Sequence, residues 1–163
     1  MFLRLALTAL LLGAVAGCRG EGRTPLPPPV RTVLEGSRRL EVLALDPFRI
    51  SAADVAAGVV EQVHGYQVLA RADVSDPALR EEVLALVQGS IAAWAGGDAP
   101  CFNPRHGLRA ERGGVVVELL LCFECSALQV YLDGRFTAGA TTTGDAVGRL
   151  NEIWRAAGCP PVD

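Results

Sequence analysis

The chain opens on an apolar run, residues 5–16, broken only by Thr8 and Gly13, behind a short segment whose one positive charge is Arg4. A helix across about 30 Å of hydrocarbon takes about 20 residues, so this shorter run has the character of an export signal. From Arg19 to Arg39 the apolar pattern loses its period, and Pro25-Leu26-Pro27-Pro28-Pro29 predicts an extended, polyproline-like tether. Periodicity then returns. Residues 40–45 read as a strand ended by Asp46-Pro47, because proline has no N–H to give to a ladder and restricts the residue before it. Ser51 followed by Asp54 resembles a capping box and predicts a helix over about 52–62, stopped by His64-Gly65. Residues 66–74 alternate as a strand, with Tyr66, Val68, Ala70, Ala72 and Val74 on one side.

The clearest helix begins at Asp76, which suits a cap, and Pro77, which suits the first helical position. Leu79, Val83, Leu86, Val87, Ile91 and Trp94 then recur at three- and four-residue spacing up to Gly96-Gly97, while Arg80, Glu81 and Glu82 begin a solvated face. Residues 106–111, 114–121, 128–132 and 135–138 follow as strands, joined by turns at Arg112-Gly113, Phe123-Glu124 and Asp133-Gly134. The run 115–121 is apolar on both faces except at Glu118, which suits a central strand. A closing helix over 145–157 points Val147, Leu150, Ile153 or Trp154, and Ala157 inward, and Gly158 with Pro160-Pro161 ends it. The expected fold class is α+β: an antiparallel meander of about five strands with two main helices on one face.

Composition narrows the function classes. Half the chain is hydrophobic, 20% is charged and the mean hydropathy is +0.31, which excludes a disordered protein over most of its length. With 163 residues, and fewer after signal removal, one core is the limit. All 15 basic residues are Arg, a coding bias without chemistry of its own, and a pI near 5.4 argues against nucleic acid as a partner. The charges are unevenly placed: five Arg against Glu21 and Glu35 over 19–39, but nine Arg against sixteen acids over 40–163. The basic segment reads first as a solvated linker; next to anionic lipid it would gain at best about 1 kcal/mol per Arg.

Val15-Ala16-Gly17-Cys18 resembles the lipobox of bacterial lipoproteins. The resemblance implies removal of residues 1–17, acylation of Cys18, a lipidated tether over 18–39 and a single domain over 40–163. It places the chain in the cell envelope, with a membrane as partner through its lipid. Ordinary secretory cleavage after Ala14-Val15-Ala16 is the alternative, and would release a soluble protein with an odd cysteine.

Candidate chemistry lies between Cys101 and Cys125. A turn at Arg112-Gly113 sets Cys122 opposite Asn103 or Pro104, which gathers Cys101, Arg105, His106, Cys122 and Cys125 at one end of the sheet. Cys101, His106, Cys122 and Cys125 have the ligand types of a tetrahedral zinc site, so zinc is the cofactor this cluster would suit. An oxidising compartment favours disulfides instead, and with Cys18 set aside Cys101, Cys122, Cys125 and Cys159 leave three full pairings open. A thioredoxin-like redox role is less suited, because there the pair sits at a helix N-terminus and here it lies between strands.

Cys101-Phe102-Asn103-Pro104-Arg105-His106-Gly107, followed by Cys122-Phe123-Glu124-Cys125, resembles the CFxPRHG...CFEC pattern of an uncharacterised group of bacterial exported proteins and lipoproteins. The resemblance spans about residues 64–135; it implies a compact domain with a shared cysteine and histidine cluster, and no reaction. Cys159 lies outside it. No G-x-S-x-G, P-loop, H-E-x-x-H or dinucleotide fingerprint occurs, so no catalytic residue and no enzyme class is assigned. His64 reads as a helix-end residue, Asp98 and Glu124 as solvated loop acids with a carboxylate pair near the cluster as the alternative, and Thr141-Thr142-Thr143 as capping hydroxyls. These features favour a structural or binding role in the cell envelope, ahead of a metal-binding module or a thiol-disulfide redox protein.

Overall fold

The computed structural model describes residues 26–58, 60–95 and 101–160. Among them, eight strands build one antiparallel sheet: β1 (Leu40–Arg49), β2 (Gln62–Val63), β3 (Tyr66–Asp73), β4 (Ile91–Ala95), β5 (His106–Arg112), β6 (Val115–Cys122), β7 (Ala127–Leu132) and β8 (Arg135–Thr142). Their spatial order is β2-β3-β1-β5-β6-β7-β8-β4. Four helices accompany them: α1 (Pro28–Gly36), α2 (Ala52–Ala57), α3 (Pro77–Ser90) and α4 (Val147–Ala156). Strand predominates, so the α+β expectation is met only in part, and the eight-stranded sheet replaces the expected meander of about five strands.

Two extra strands, β4 and β2, replace expected helical segments. Helix α3 starts as expected, with Asp76 Oδ1 accepting from Ala78 N at 2.9 Å and Pro77 in its first turn, but it stops at Ser90. Ile91–Ala95, expected to continue it, instead pairs with β8, which would otherwise leave an open edge. The spacing of Ile91 and Trp94 fits a helix, and the unpaired ladder of β8 overrides it. Helix α2 is capped by Ser51, whose hydroxyl accepts from Asp54 N at 3.1 Å, and ends at Gly58 in the left-handed region rather than near residue 62. His64 and Gly65 (φ 49° and 86°) form the turn of a β2–β3 hairpin, where a helix stop was expected.

The largest departure is α1. The proline run, expected to be extended, starts a helix, because proline in the first turn loses no hydrogen bond that the helix would have made. Val30, Val33 and Leu34 recur at helical spacing and are buried with Leu26 in the main core. The segment is pinned by Arg112 Nη1 donating to the Thr32 carbonyl at 2.9 Å and the Ser37 hydroxyl donating to the Glu111 carbonyl at 2.8 Å. So the stretch from Leu26 onward, read as tether, packs as part of the core. Cys18 and the lipobox lie outside the described residues.

Alternation along the strands separates two faces. On one, Val42, Leu108, Leu119, Leu121 and Val130 pack beneath buried residues of α1, α3 and α4, so three helices rather than two cover this face. On the other, Leu43, Leu45, Tyr66, Phe102, Leu120 and Cys122 form a smaller apolar cluster with no long helix over it. Helix α4 is locked across the sheet by Trp154 Nε1 donating to the Leu43 carbonyl at 2.8 Å. Its end is a Schellman-type turn: Cys159 N bonds to the Trp154 carbonyl (2.8 Å) and Gly158 takes φ 78°. That geometry swings Cys159 into the helix-side core, where it is fully buried.

Candidate functional site

Cys101, His106, Cys122 and Cys125, the candidate disulfide or metal cluster, do not share one face of the sheet. The β5–β6 turn is Gly113-Gly114, both left-handed (φ 61° and 82°), so Arg112 pairs with Val115 and His106 with Leu121. Cys122 therefore falls beside Arg105, not opposite Asn103 or Pro104, and alternation sends it to the open face while His106 points to the helices. His106 is 3% exposed, with Nε2–H donating to Asn151 Oδ1 at 2.7 Å and its ring edge-on to Phe123 and Trp154. Burial, aided by the Arg105 charge and opposed by the Asn151 hydrogen bond, pushes its pKa down to about 4. Cys122 and Cys125 are joined as a disulfide across the β6–β7 turn, with Cα atoms 5.2 Å apart. Cys101 remains a free, exposed thiol and Cys159 a buried one whose pKa burial raises. Glu124 pairs with Arg105 at 2.7 Å, and Asp98 lies outside the described residues. Thr141 and Thr142 belong to β8, and no side chain caps α4.

The open face carries a different constellation. Register places Asp73, Glu41, Arg109, Glu118, Tyr131 and Phe136 in a single row across β3, β1, β5, β6, β7 and β8. Side chains directly opposite in adjacent strands touch, so acids and bases in this row are held in line by the ladder itself. Arg109 Nε is 3.7 Å from Glu41 Oε2 and 3.7 Å from Glu118 Oε1. Glu41, whose side chain is 9% exposed, also meets Arg39 at 3.1 Å and Arg71 at 3.4 Å. Arg39 is anchored in turn by Nε donating to Asp73 Oδ1 at 2.6 Å, which with Glu41 raises its pKa, and Arg71 pairs with Glu61. Arg39, the last residue of the basic 19–39 segment, is part of this cluster.

A bend brings a histidine over the row. Between Leu45 and Arg49 the β1–β3 register slips, so Asp46, Pro47 and Phe48 bulge where the prolyl nitrogen has no donor. The β2–β3 hairpin reaches the open face, and His64 at its turn donates from Nε2 to Glu118 Oε2 at 2.7 Å while stacking on Tyr131 at 3.5 Å. Tyr131 Oη donates to Gln129 Oε1 at 2.7 Å. Under the same hairpin Tyr66 Oη donates to the Phe102 carbonyl at 2.7 Å, sealing the apolar half of the face.

Beside the row lies a cleft of about 320 Å³ lined by Arg39, Glu41, Arg71, Arg109, Ala110 and Glu111. Its floor is a guanidinium with unused capacity: Arg109, 28% exposed, is held by the two ion pairs and makes no hydrogen bond among the described residues. A guanidinium offers five N–H donors in a planar fork, which suits carboxylate or phosphate oxygens. In the sequence Glu118 reads as an exception in a buried strand and His64 as a helix end, which hides this site. The signal that was present is the alternation of Glu41, Arg109 and Glu118 with core residues; pairing them needed a register correct to one residue. No protein-family model matches the chain, and neither a curated protein nor a solved structure shows significant similarity to it.

Proposed function

We propose that this chain is a bacterial lipoprotein, anchored in the cell envelope through acyl groups on Cys18, whose α+β domain binds a small ligand bearing an anionic oxygen group. The observation that carries the binding role is Arg109: a partly exposed guanidinium facing a cleft of about 320 Å³, with no hydrogen bond among the described residues. Arg39 and Arg71 add positive charge at the same cleft, and Glu41 and Glu118 hold the Arg109 fork in place. A volume at the small end of ligand pockets suits a small molecule rather than a polymer. The anchor rests on Val15-Ala16-Gly17-Cys18.

Titrating the ¹⁵N-labelled protein with acetate and with inorganic phosphate tests the binding role. A saturable shift of the Arg109 Nε signal with either ion, absent from Arg109→Gln, is expected; no saturable shift with both ions overturns it. Radiolabelled palmitate tests the anchor, which is refuted if Cys18→Ser still takes up label.

A further inference from the structure

The backbone that carries the free Cys101 runs beside the Cys122–Cys125 disulfide. Residues leading into β5 continue alongside β6: Arg105 N donates to the Leu121 carbonyl (3.3 Å), and Arg105 Nη1 holds Glu124 Oε2 (2.7 Å) inside the Cys122–Cys125 loop. This runs the segment that begins at Cys101 past the disulfide, and the Cys101 carbonyl oxygen lies against Cys125 Sγ. The three sulfurs differ in accessibility. Cys101 is exposed and free, Cys125 is half-buried, and Cys122 is 1% exposed in the smaller apolar cluster. An incoming thiolate therefore meets Cys125 first. The leaving sulfur is also provided for, since Cys125 N–H points at Cys122 Sγ at 3.1 Å and would stabilise a thiolate there.

We propose that Cys101, Cys122 and Cys125 form an intramolecular thiol-disulfide exchange site. The Cys101 thiolate attacks Cys125 Sγ; the Cys101–Cys125 bond forms as the Cys122–Cys125 bond breaks, and its electron pair leaves on Cys122 Sγ. The proton lost from Cys101 is matched by one gained at Cys122, so no oxidant or reductant is consumed. One isomer displays a reactive thiol at the surface; the other hides it in the sheet. Cys159, buried on the opposite face, takes no part. The exchange does not depend on ligand binding at the arginine cleft.

Peptide mapping reads the two isomers directly. Trypsin leaves Cys101 in the peptide 81–105 and both Cys122 and Cys125 in 113–135, so the first isomer is an intrapeptide disulfide and the second a cross-link between two peptides. The full-length protein, purified without reductant, is held at mildly alkaline pH, quenched in acid with maleimide at successive times, and digested. The cross-linked pair is expected in wild type, rising to a plateau with time at alkaline pH. Its absence at every time, with Cys101 fully labelled, overturns the proposal. Two variants test the direction of attack. Cys122→Ser, treated with oxidised glutathione as the two-electron oxidant, is expected to join Cys101 to Cys125, with Cys101 labelling lost. Cys125→Ser is expected to keep Cys101 labelled and unlinked. Free Cys101 and Cys125 in the first variant, or a Cys101–Cys122 bond in the second, contradicts the assignment.

Discussion

Protonation of His106 supplies the sharpest quantitative test of how this domain is packed. The imidazole is 3% exposed, donates from Nε2 to Asn151, and leaves Nδ1 without a partner among the described residues. A proton arriving at Nδ1 would place a charge in the core with no acceptor and with Arg105 nearby, which is why its pKa falls to about 4. In the unfolded chain it titrates near 6.5. The native group is thus the weaker base: between the two values the unfolded state binds a proton that the native state does not, and stability rises with pH. It is fully present above about pH 6.5 and is lost as pH falls toward about 4, a loss of about 3 kcal/mol from this residue alone. Urea unfolding of wild type and His106→Leu at several pH values isolates that contribution, because the carboxylates titrate in both. Near neutrality the variant should be less stable by about 1 kcal/mol, the worth of the Asn151 hydrogen bond. Near pH 4 the order should reverse, with the variant ahead by about 2 kcal/mol once the missing burial penalty is included. NMR titration of the His106 ring gives the pKa independently. Parallel stability profiles, or a His106 midpoint near 6.5, would refute the reasoning.

Other substitutions probe separate parts of the fold. Leu34→Ala should cost about 2–4 kcal/mol in denaturant unfolding if α1 belongs to the core, whereas a solvated tether would leave the midpoint unchanged. Gly107→Ala puts a Cβ 3.0 Å from Leu43 Cβ, in a buried row, and should lower stability by about 1–3 kcal/mol, read as a fall in Tm. Tyr66→Phe removes the buried bond to the Phe102 carbonyl and should cost about 1–2 kcal/mol, with amide exchange accelerating around residue 102. Glu41→Gln leaves Arg39, Arg71 and Arg109 facing one another; because those guanidiniums are partly exposed, the loss should be about 1–2 kcal/mol at low salt and shrink as salt is added. A salt-independent loss would mean that packing, not charge, is what Glu41 supplies.

Where local pattern and tertiary context agree, the elements are legible in the residues themselves. Asp76 and Pro77 open α3, Gly158 closes α4, and Asp133-Gly134 turns the β7–β8 hairpin, each through backbone chemistry confined to a few neighbouring positions. Where they disagree, something distant decides. Pro27-Pro28-Pro29 is equally suited to an extended tether and to a helix N-terminus, and it is the burial of Val30, Val33 and Leu34 on the sheet that selects the helix. Ile91 and Trp94 continue a helical spacing until the free edge of β8 claims them. The Asp46-Pro47 strand break is real as chemistry, yet pairing with β3 resumes at Arg49 opposite Tyr66, so the chain bulges there and the strand runs on.

The candidate site shows the same division at finer scale. From its residues alone, the chain determines that Cys122 and Cys125 can meet across a turn, that β6 is central, and that Glu118 is a lone acid within it. Which groups share a face depends on the β5–β6 register, and a side-chain period of two makes a one-residue slip reverse every assignment. Gly113-Gly114, rather than Arg112-Gly113, is the turn; with that shift His106 leaves the thiols for the helix-side core, and Arg109 lands between Glu41 and Glu118. Residue types and local turns are properties of the sequence, while the meeting of side chains tens of positions apart is created only by packing the strands.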